Sequence, residues 1–189
     1  MPELPEVETI RRQLAETVIG ATITGVTVRR TNCYIGPELR DLEVITEIAR
    51  TGKYLFVHFE SGRGLVIHLK MTGRLVVDVD LYNELPHTRV VMDLSSGKKI
   101  YYWDARTFGY VKYVEDIKNA QGIQKSKLGP DPWEITEELF YKLVKKYQRP
   151  IKNLILDQAL LAGVGNIYAN DGLWEAGIDP RRAASSLSR

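Results

Sequence analysis

The sequence predicts an α+β protein: an N-terminal helix, an antiparallel β-sandwich or barrel, and then a smaller helical part. Three observations predict it. A three- and four-residue apolar spacing opens the chain, a long run of two-residue alternation follows, and helical spacing returns after a Leu-Gly-Pro-Asp-Pro break.

Over residues 5–19, Val7, Ile10, Leu14 and Val18 share one helical face, and Gly20 stands where a helix C-cap belongs. The segments ATITGVTV, EVITEIA, KYLFVHF, GLVIHL, RLVVDVD, TRVVMDL, KKIYYW and YVKYV then alternate, with Gly, Asn, Pro or Ser between most of them. They amount to about eight strands, enough for a sandwich or barrel. Between residues 115 and 133 the pattern lapses into a polar stretch, which predicts a boundary between a domain at 1–130 and another at 131–189. Thr136 with Glu137 and Glu138 starts a helix that runs to about Gln148 and is interrupted by Arg149-Pro150. A second helix is expected over 151–161, carried by Leu154, Ile155 and Leu160. The AGVGN turn leads through Asn166 to a third over 167–176, and ASSLS reads as the cap of a further one.

Composition sets the outer bounds. The 189 residues are 44% hydrophobic and 26% charged, as in an ordinary soluble globular protein. No apolar run approaches the roughly 18 residues of a membrane span, and the N-terminus is acidic where a signal peptide is basic, so a cytoplasmic protein is expected. The single cysteine, Cys33, excludes an intramolecular disulfide and a multi-cysteine zinc site. A net charge of +2 is only mildly basic, so binding to nucleic acid must rest on how charge is distributed.

Six places can carry chemistry. Removal of Met1 would leave the secondary amine of Pro2 at the N-terminus, a nucleophile able to form an iminium, with the Glu3 carboxylate beside it for proton transfer. Glu3 equally suits the start of the helix, where negative charge is favoured. Lys53, in TGKYLF, reads by itself as a solvated strand end. In HLKMTGR, Met71 stands between two strands, where a methionine at a turn is odd; by itself it reads as a gap-filling core residue. In DARTFG, Arg106 and Phe108 lie on one side of a strand, suited to entering a base stack; alternatively Phe108 is buried and Arg106 pairs with Asp104. Lys142, Lys145, Lys146, Arg149 and Lys152 form a basic stretch ahead of AGVGNIY. That turn could hold a phosphate on helix N–H groups and the Asn166 side chain.

The opening MPELPEVETIRRQL resembles the N-terminus of the formamidopyrimidine-DNA glycosylase family, bifunctional enzymes that excise oxidised bases and nick the strand. HLKMTG and DARTFG are similar to the family's HL-x-M-x-G and D-x-R-x-F-G loops. ILDQALLAGVGNIYANDGLWEAGIDP resembles its helix–two-turns–helix motif over its entire length. The resemblance implies catalytic roles for Pro2, Glu3 and Lys53 through a Schiff base. It places Met71 in the space left by an extruded base, His68 near the phosphates and His87 on DNA. Arg106 would face the estranged base, usually cytosine, and Phe108 would wedge the stack. Asn166 would hold phosphate together with Lys146 or Lys152, because Tyr147 stands near a position where the family often has lysine. Asp171 replaces a common glutamate.

The implied function is base excision repair of 8-oxoguanine and formamidopyrimidines by a monomer that binds damaged double-stranded DNA in the cleft between its two parts, near the bacterial nucleoid. Two alternatives stay open: an endonuclease VIII-like enzyme for oxidised pyrimidines, and a module that binds abasic or damaged DNA with reduced or no turnover. No cofactor or metal is expected, because the family's C-terminal four-cysteine zinc finger is missing. Without its arginine the second elimination should be impaired.

Overall fold

The computed structural model describes residues 1–37, 39 and 42–188. The chain divides into two compact units, Met1–Ile123 and Gln124–Arg189.

The first unit begins with α1 (Leu4–Val18), which buries Leu4, Val7, Leu14 and Val18. Glu3 is its N-cap, and Glu6 Oε2 accepts the Glu3 N–H at 2.8 Å, one arm of a capping box. At the other end Gly20 takes φ +84°, as the C-cap reading requires. Nine strands follow among the described residues: β1 (Thr22–Val28), β2 (Tyr34–Ile35), β3 (Glu43–Thr51), β4 (Tyr54–Phe59), β5 (Gly64–His68), β6 (Arg74–Val77), β7 (Thr88–Leu94), β8 (Lys99–Trp103) and β9 (Tyr110–Val114). A short helix, α2 (Leu81–Glu84), precedes β7. The strand order is β2-β9-β5-β4-β3-β1-β7-β8-β6, antiparallel throughout except for the parallel β2–β9 pair.

The sheet folds on itself about the short β3–β1 pairing, so that residues of both halves share one core. Val57, Leu65 and Ile67 of one half meet Leu75, Met92 and Ile100 of the other, with Leu14 and Val18 of α1 among them. The mixed α+β architecture expected from the sequence is the one observed. Two consequences of this topology place the functional candidates. β3 and β4 are joined by the two-residue turn Gly52-Lys53, with Gly52 at φ +56°, so Lys53 is held at a hairpin tip. Segments 69–73 (β5 to β6) and 104–109 (β8 to β9) cross between the two halves in opposite directions.

Three sequence expectations are corrected here. The polar stretch after residue 115 contains α3 (Ile117–Lys127), which has only a narrow apolar stripe: Ile117 and Ala120 pack on Phe56 and Val66. The two-residue β2 is too short to show a period. The helix expected over 151–161 ends at Leu156, because residues 157–165 form a turn held by side chains.

The second unit contains α4 (Glu137–Lys145), α5 (Ile151–Leu156) and α6 (Asn166–Glu175). Thr136 caps α4 by accepting the Leu139 N–H at 3.2 Å. Val144, Ile151, Leu154, Leu173, Ala184 and Leu187 make its main core, and ASSLS supplies only a 3₁₀ turn over Ala184–Ser186.

Candidate active site

The N-terminal candidates sit where α1 begins. Pro2 is half-buried and Glu3 is 1% exposed. Lys53 is half-buried, and burial pushes its ammonium down while the Glu3 carboxylate opposes the shift. The charge of Glu3 is thus felt at the hairpin tip 50 residues away in sequence.

A clamp holds helix and hairpin together. The Glu8 carboxylate of α1 accepts Arg11 Nη2 at 2.8 Å, Arg12 Nε at 2.9 Å and Arg50 Nε at 3.0 Å. Arg50 Nη1 also donates to Gly52 O at 2.9 Å, directly before Lys53. Glu8 is lowered to about 2, chiefly by the Arg11 hydrogen bond, with Arg12 and Arg50 adding to it against the cost of burial. Neither Glu8 nor Arg50 stands out in the sequence, because their partner is chosen by the approach of α1 to β3.

His68 ends β5 and is 8% exposed. Tyr54, His68 and Tyr110 are register partners across β4, β5 and β9. The Tyr54 ring meets His68 edge-on at 4.5 Å, and the Tyr110 ring stacks at 6.2 Å. Burial, then the charges of Lys70 and Lys53, hold His68 down at about 4, so the ring is neutral at pH 7. Its Nδ1 accepts the Lys70 N–H at 3.0 Å, which assigns the proton to Nε2 and makes the outer edge of the ring a donor.

Met71, Arg106 and Phe108 come together on the two crossing segments. Met71 is 45% exposed and Phe108 54%, so the core readings of both are excluded. Arg106 Nη1 donates to Met71 Sδ at 3.3 Å, and its guanidinium lies 4.7 Å from the Phe108 ring centre. Asp104 does not pair with that guanidinium; it binds the Arg106 backbone N–H at 3.2 Å. Lys70 and Thr107 take φ +51° and +57°, so each crossing segment contains a left-handed non-glycine residue. The segments approach too closely for side chains at their glycines. A Cβ on Gly109 would collide with Tyr102 Oη and meet His68 O at 2.5 Å.

His87 is half-buried in the turn before β7, its ring edge-on to Trp103 at 5.6 Å and its Nδ1 3.0 Å from Arg89 Nη2.

In the second unit Lys146 is exposed at the end of α4, Lys152 is half-buried in α5, and Asn166 is exposed as the first residue of α6. The basic stretch is less uniform than it reads. Lys142 pairs with Glu138 at 2.6 Å, Lys145 Nζ donates to Ser185 O at 2.9 Å, and Arg149 pairs with Asp157 at 2.8 Å. The glycine turn is braced by Gln158. Its Nε2 donates to Leu156 O at 2.9 Å and Val164 O at 2.8 Å, and its Oε1 accepts the Gly163 N–H at 2.9 Å. Gln158 was passed over in the sequence, where a lone amide in the apolar run LDQALL is the available signal.

No group of three or more His, Cys, Asp or Glu is arranged for a metal among the described residues, and Cys33 is buried in the β-core. Among the described residues no helix is long and apolar enough to cross a membrane.

Each part of the chain matches a known domain. The formamidopyrimidine-DNA glycosylase N-terminal domain matches residues 1–111, and the formamidopyrimidine-DNA glycosylase H2TH domain matches residues 128–189. The chain is 39% identical over 198 residues to a formamidopyrimidine-DNA glycosylase of Moorella thermoacetica, covering all of this chain and 72% of the relative. It is 38% identical to that of Ligilactobacillus salivarius, with coverage of 100% and 71%. Among solved structures it resembles the Lactococcus lactis Fpg bound to DNA containing an abasic site (TM-score 0.85, 30% identity, 99% of this chain and 71% of that one). MutM in complex with DNA containing carbocyclic 8-oxo-G aligns with the same TM-score and identity, over 100% of this chain and 73% of that one. Fold and matches together put the protein among the DNA glycosylases of base excision repair. The chain belongs to the formamidopyrimidine-DNA glycosylase family.

Proposed function

We propose that the protein excises oxidised purines, 8-oxoguanine and formamidopyrimidines, from damaged double-stranded DNA and then cleaves the strand as an abasic-site lyase. The observation that carries this reading is the N-terminal cluster: half-buried Pro2, fully buried Glu3, and a Lys53 ammonium pushed down by burial against the opposing charge of Glu3. The names of the curated relatives and the lesions in the solved complexes support the choice of substrate.

With Met1 removed, the Pro2 nitrogen attacks C1′ of an extruded nucleotide as the bond from C1′ to the base breaks and the base leaves protonated. Glu3 relays a proton to the sugar ring oxygen, the ring opens, and an iminium forms between Pro2 and C1′. Loss of a C2′ proton expels the 3′ phosphate, with Lys53 assisting, and water releases Pro2. Met71 and Phe108 supply exposed apolar groups for the gap and the stack, and Arg106 supplies donors for the base left behind. The neutral His68 ring offers Nε2–H to a phosphate, His87 contacts the backbone, and Asn166 with Lys146 or Lys152 forms a second phosphate contact on the other unit.

Excision should be compared on otherwise identical duplexes carrying 8-oxoguanine, a formamidopyrimidine or an oxidised pyrimidine. The purine lesions are expected to react at least about tenfold faster in kcat/KM. Equal or faster reaction of the pyrimidine lesion would replace this reading with an endonuclease VIII-like specificity.

A further inference from the structure

The carboxylate of Asp104 is fully buried and lies at the junction of the segments that carry the wedge residues. Oδ1 accepts the Thr72 hydroxyl from one crossing segment and the Arg106 N–H of the other at 3.2 Å. Oδ2 accepts the Gly109 N–H at 2.9 Å and the Tyr102 hydroxyl at 3.2 Å. The Thr72 hydroxyl also accepts the Arg106 N–H at 3.2 Å, so it bridges the two segments directly. The backbone of Asp104 holds the third segment: its O accepts Arg89 Nε at 2.8 Å and its N–H donates to His87 O at 2.9 Å. Met71, His87, Arg106 and Phe108 all sit on segments that meet at this one residue.

A buried carboxylate is costly unless its acceptor sites are filled, and here four donors fill them. The two backbone donors cannot reverse their role, so the geometry of residues 104–109 is set by where this carboxylate sits. Thr72 transmits the same constraint to its chain neighbour Met71. We infer that Asp104 and Thr72 are positioning residues that hold Met71, Arg106 and Phe108 as one preformed wedge, governing how fast it enters the duplex and how strictly Arg106 selects the opposing base. The inference rests on the proposed glycosylase reading and extends it to residues that touch no DNA. A wedge that arrives ordered loses less conformational entropy on insertion than two independent loops would.

The test uses the full chain and four variants, Thr72→Val, Thr72→Ser, Asp104→Asn and Phe108→Ala. Stopped-flow fluorescence of 2-aminopurine beside an 8-oxoguanine reports insertion. Excision opposite cytosine and adenine reports base selection, and borohydride trapping on a preformed abasic duplex reports Pro2 chemistry. Thr72→Val keeps the shape and removes the bridge. It is expected to slow insertion about tenfold and to narrow the cytosine-to-adenine preference by a similar factor, the size that goes with losing a hydrogen bond to a charged acceptor. Abasic trapping should stay within about twofold, Thr72→Ser should restore both readouts, and Asp104→Asn should exceed Thr72→Val because its amide must face a backbone N–H. Wild-type insertion and selection by Thr72→Val, with Phe108→Ala slowed, would overturn the inference while leaving the wedge intact. Wild-type behaviour of Phe108→Ala would overturn it together with the wedge, and loss of abasic trapping in the wild-type protein would instead remove the glycosylase reading itself.

Discussion

His68 should make the protein weaken in mild acid, and by a predictable amount. Its ring titrates at about 4 in the folded protein against 6.5 in an unperturbed histidine. Between those values the unfolded chain binds a proton that the folded protein refuses, so stability falls as pH drops through the window. At about 1.36 kcal/mol per unit, the full difference is about 3 kcal/mol, of which about 2 kcal/mol is lost between pH 7 and pH 5. The perturbation is His68→Gln, which keeps a polar side chain of similar reach but cannot titrate. Urea denaturation of both proteins at pH 7 and pH 5 should show the wild type losing about 2 kcal/mol more than the variant over this interval. Ring proton NMR gives an independent reading, since only His58, His68 and His87 contribute and the variant identifies the signal. A His68 ring that titrates near 6.5, or identical pH dependence in the two proteins, would refute the burial argument and the assignment of a neutral donor at Nε2.

Three further outcomes follow from the geometry. Gly109→Ala places a methyl against Tyr102 Oη and the His68 carbonyl, and thermal unfolding should show a loss of about 2 kcal/mol together with slower excision, because residues 104–109 must shift. Glu8 contributes stability that is complete above about pH 4.5 and lost as pH falls through about 2. Glu8→Gln should therefore flatten the acid limb of stability, by about 2 kcal/mol once the solvent-exposed Arg12 partner is discounted for screening. Lys53→Gln should slow strand cleavage about tenfold or more while adduct formation on an abasic site persists, so trapped protein outlasts nicked product in single-turnover gels.

The β-body was legible because its strands alternate and carry glycine or asparagine between them, and α1 because its apolar residues keep a helical spacing up to Gly20. α3 was not: its buried stripe is two residues wide, and its remaining positions are as polar as a linker. The helix expected through Leu161 failed for another reason. Leu160 and Leu161 continue the apolar phase, but Gln158 and Asp157 bond the backbone on either side of them into a turn instead. Within the candidate site, the residues proposed to form the wedge advertise themselves by being odd, as an exposed methionine and an exposed phenylalanine at turns are. The residues behind them do not. Asp104 draws its donors from positions 72, 102, 106 and 109, and Glu8 draws Arg50 from another element, so their roles exist only once the sheet has folded. The basic stretch around Lys145 divides in a way its spacing does not show, because Lys142, Lys145 and Arg149 are spent on ion pairs and a carbonyl inside their own unit.

In the proposed reaction the imino nitrogen of Pro2 is the nucleophile. Borohydride trapping on duplexes carrying 8-oxoguanine opposite cytosine, or an abasic site, tests it directly, with Pro2→Gly and a form retaining Met1 run beside the wild type. A covalent adduct is expected with both duplexes, mapped by mass spectrometry to the N-terminal peptide, at least about a hundredfold slower in Pro2→Gly and absent when Met1 is retained. An adduct that forms at full rate without Pro2, or that maps to Lys53, would contradict it.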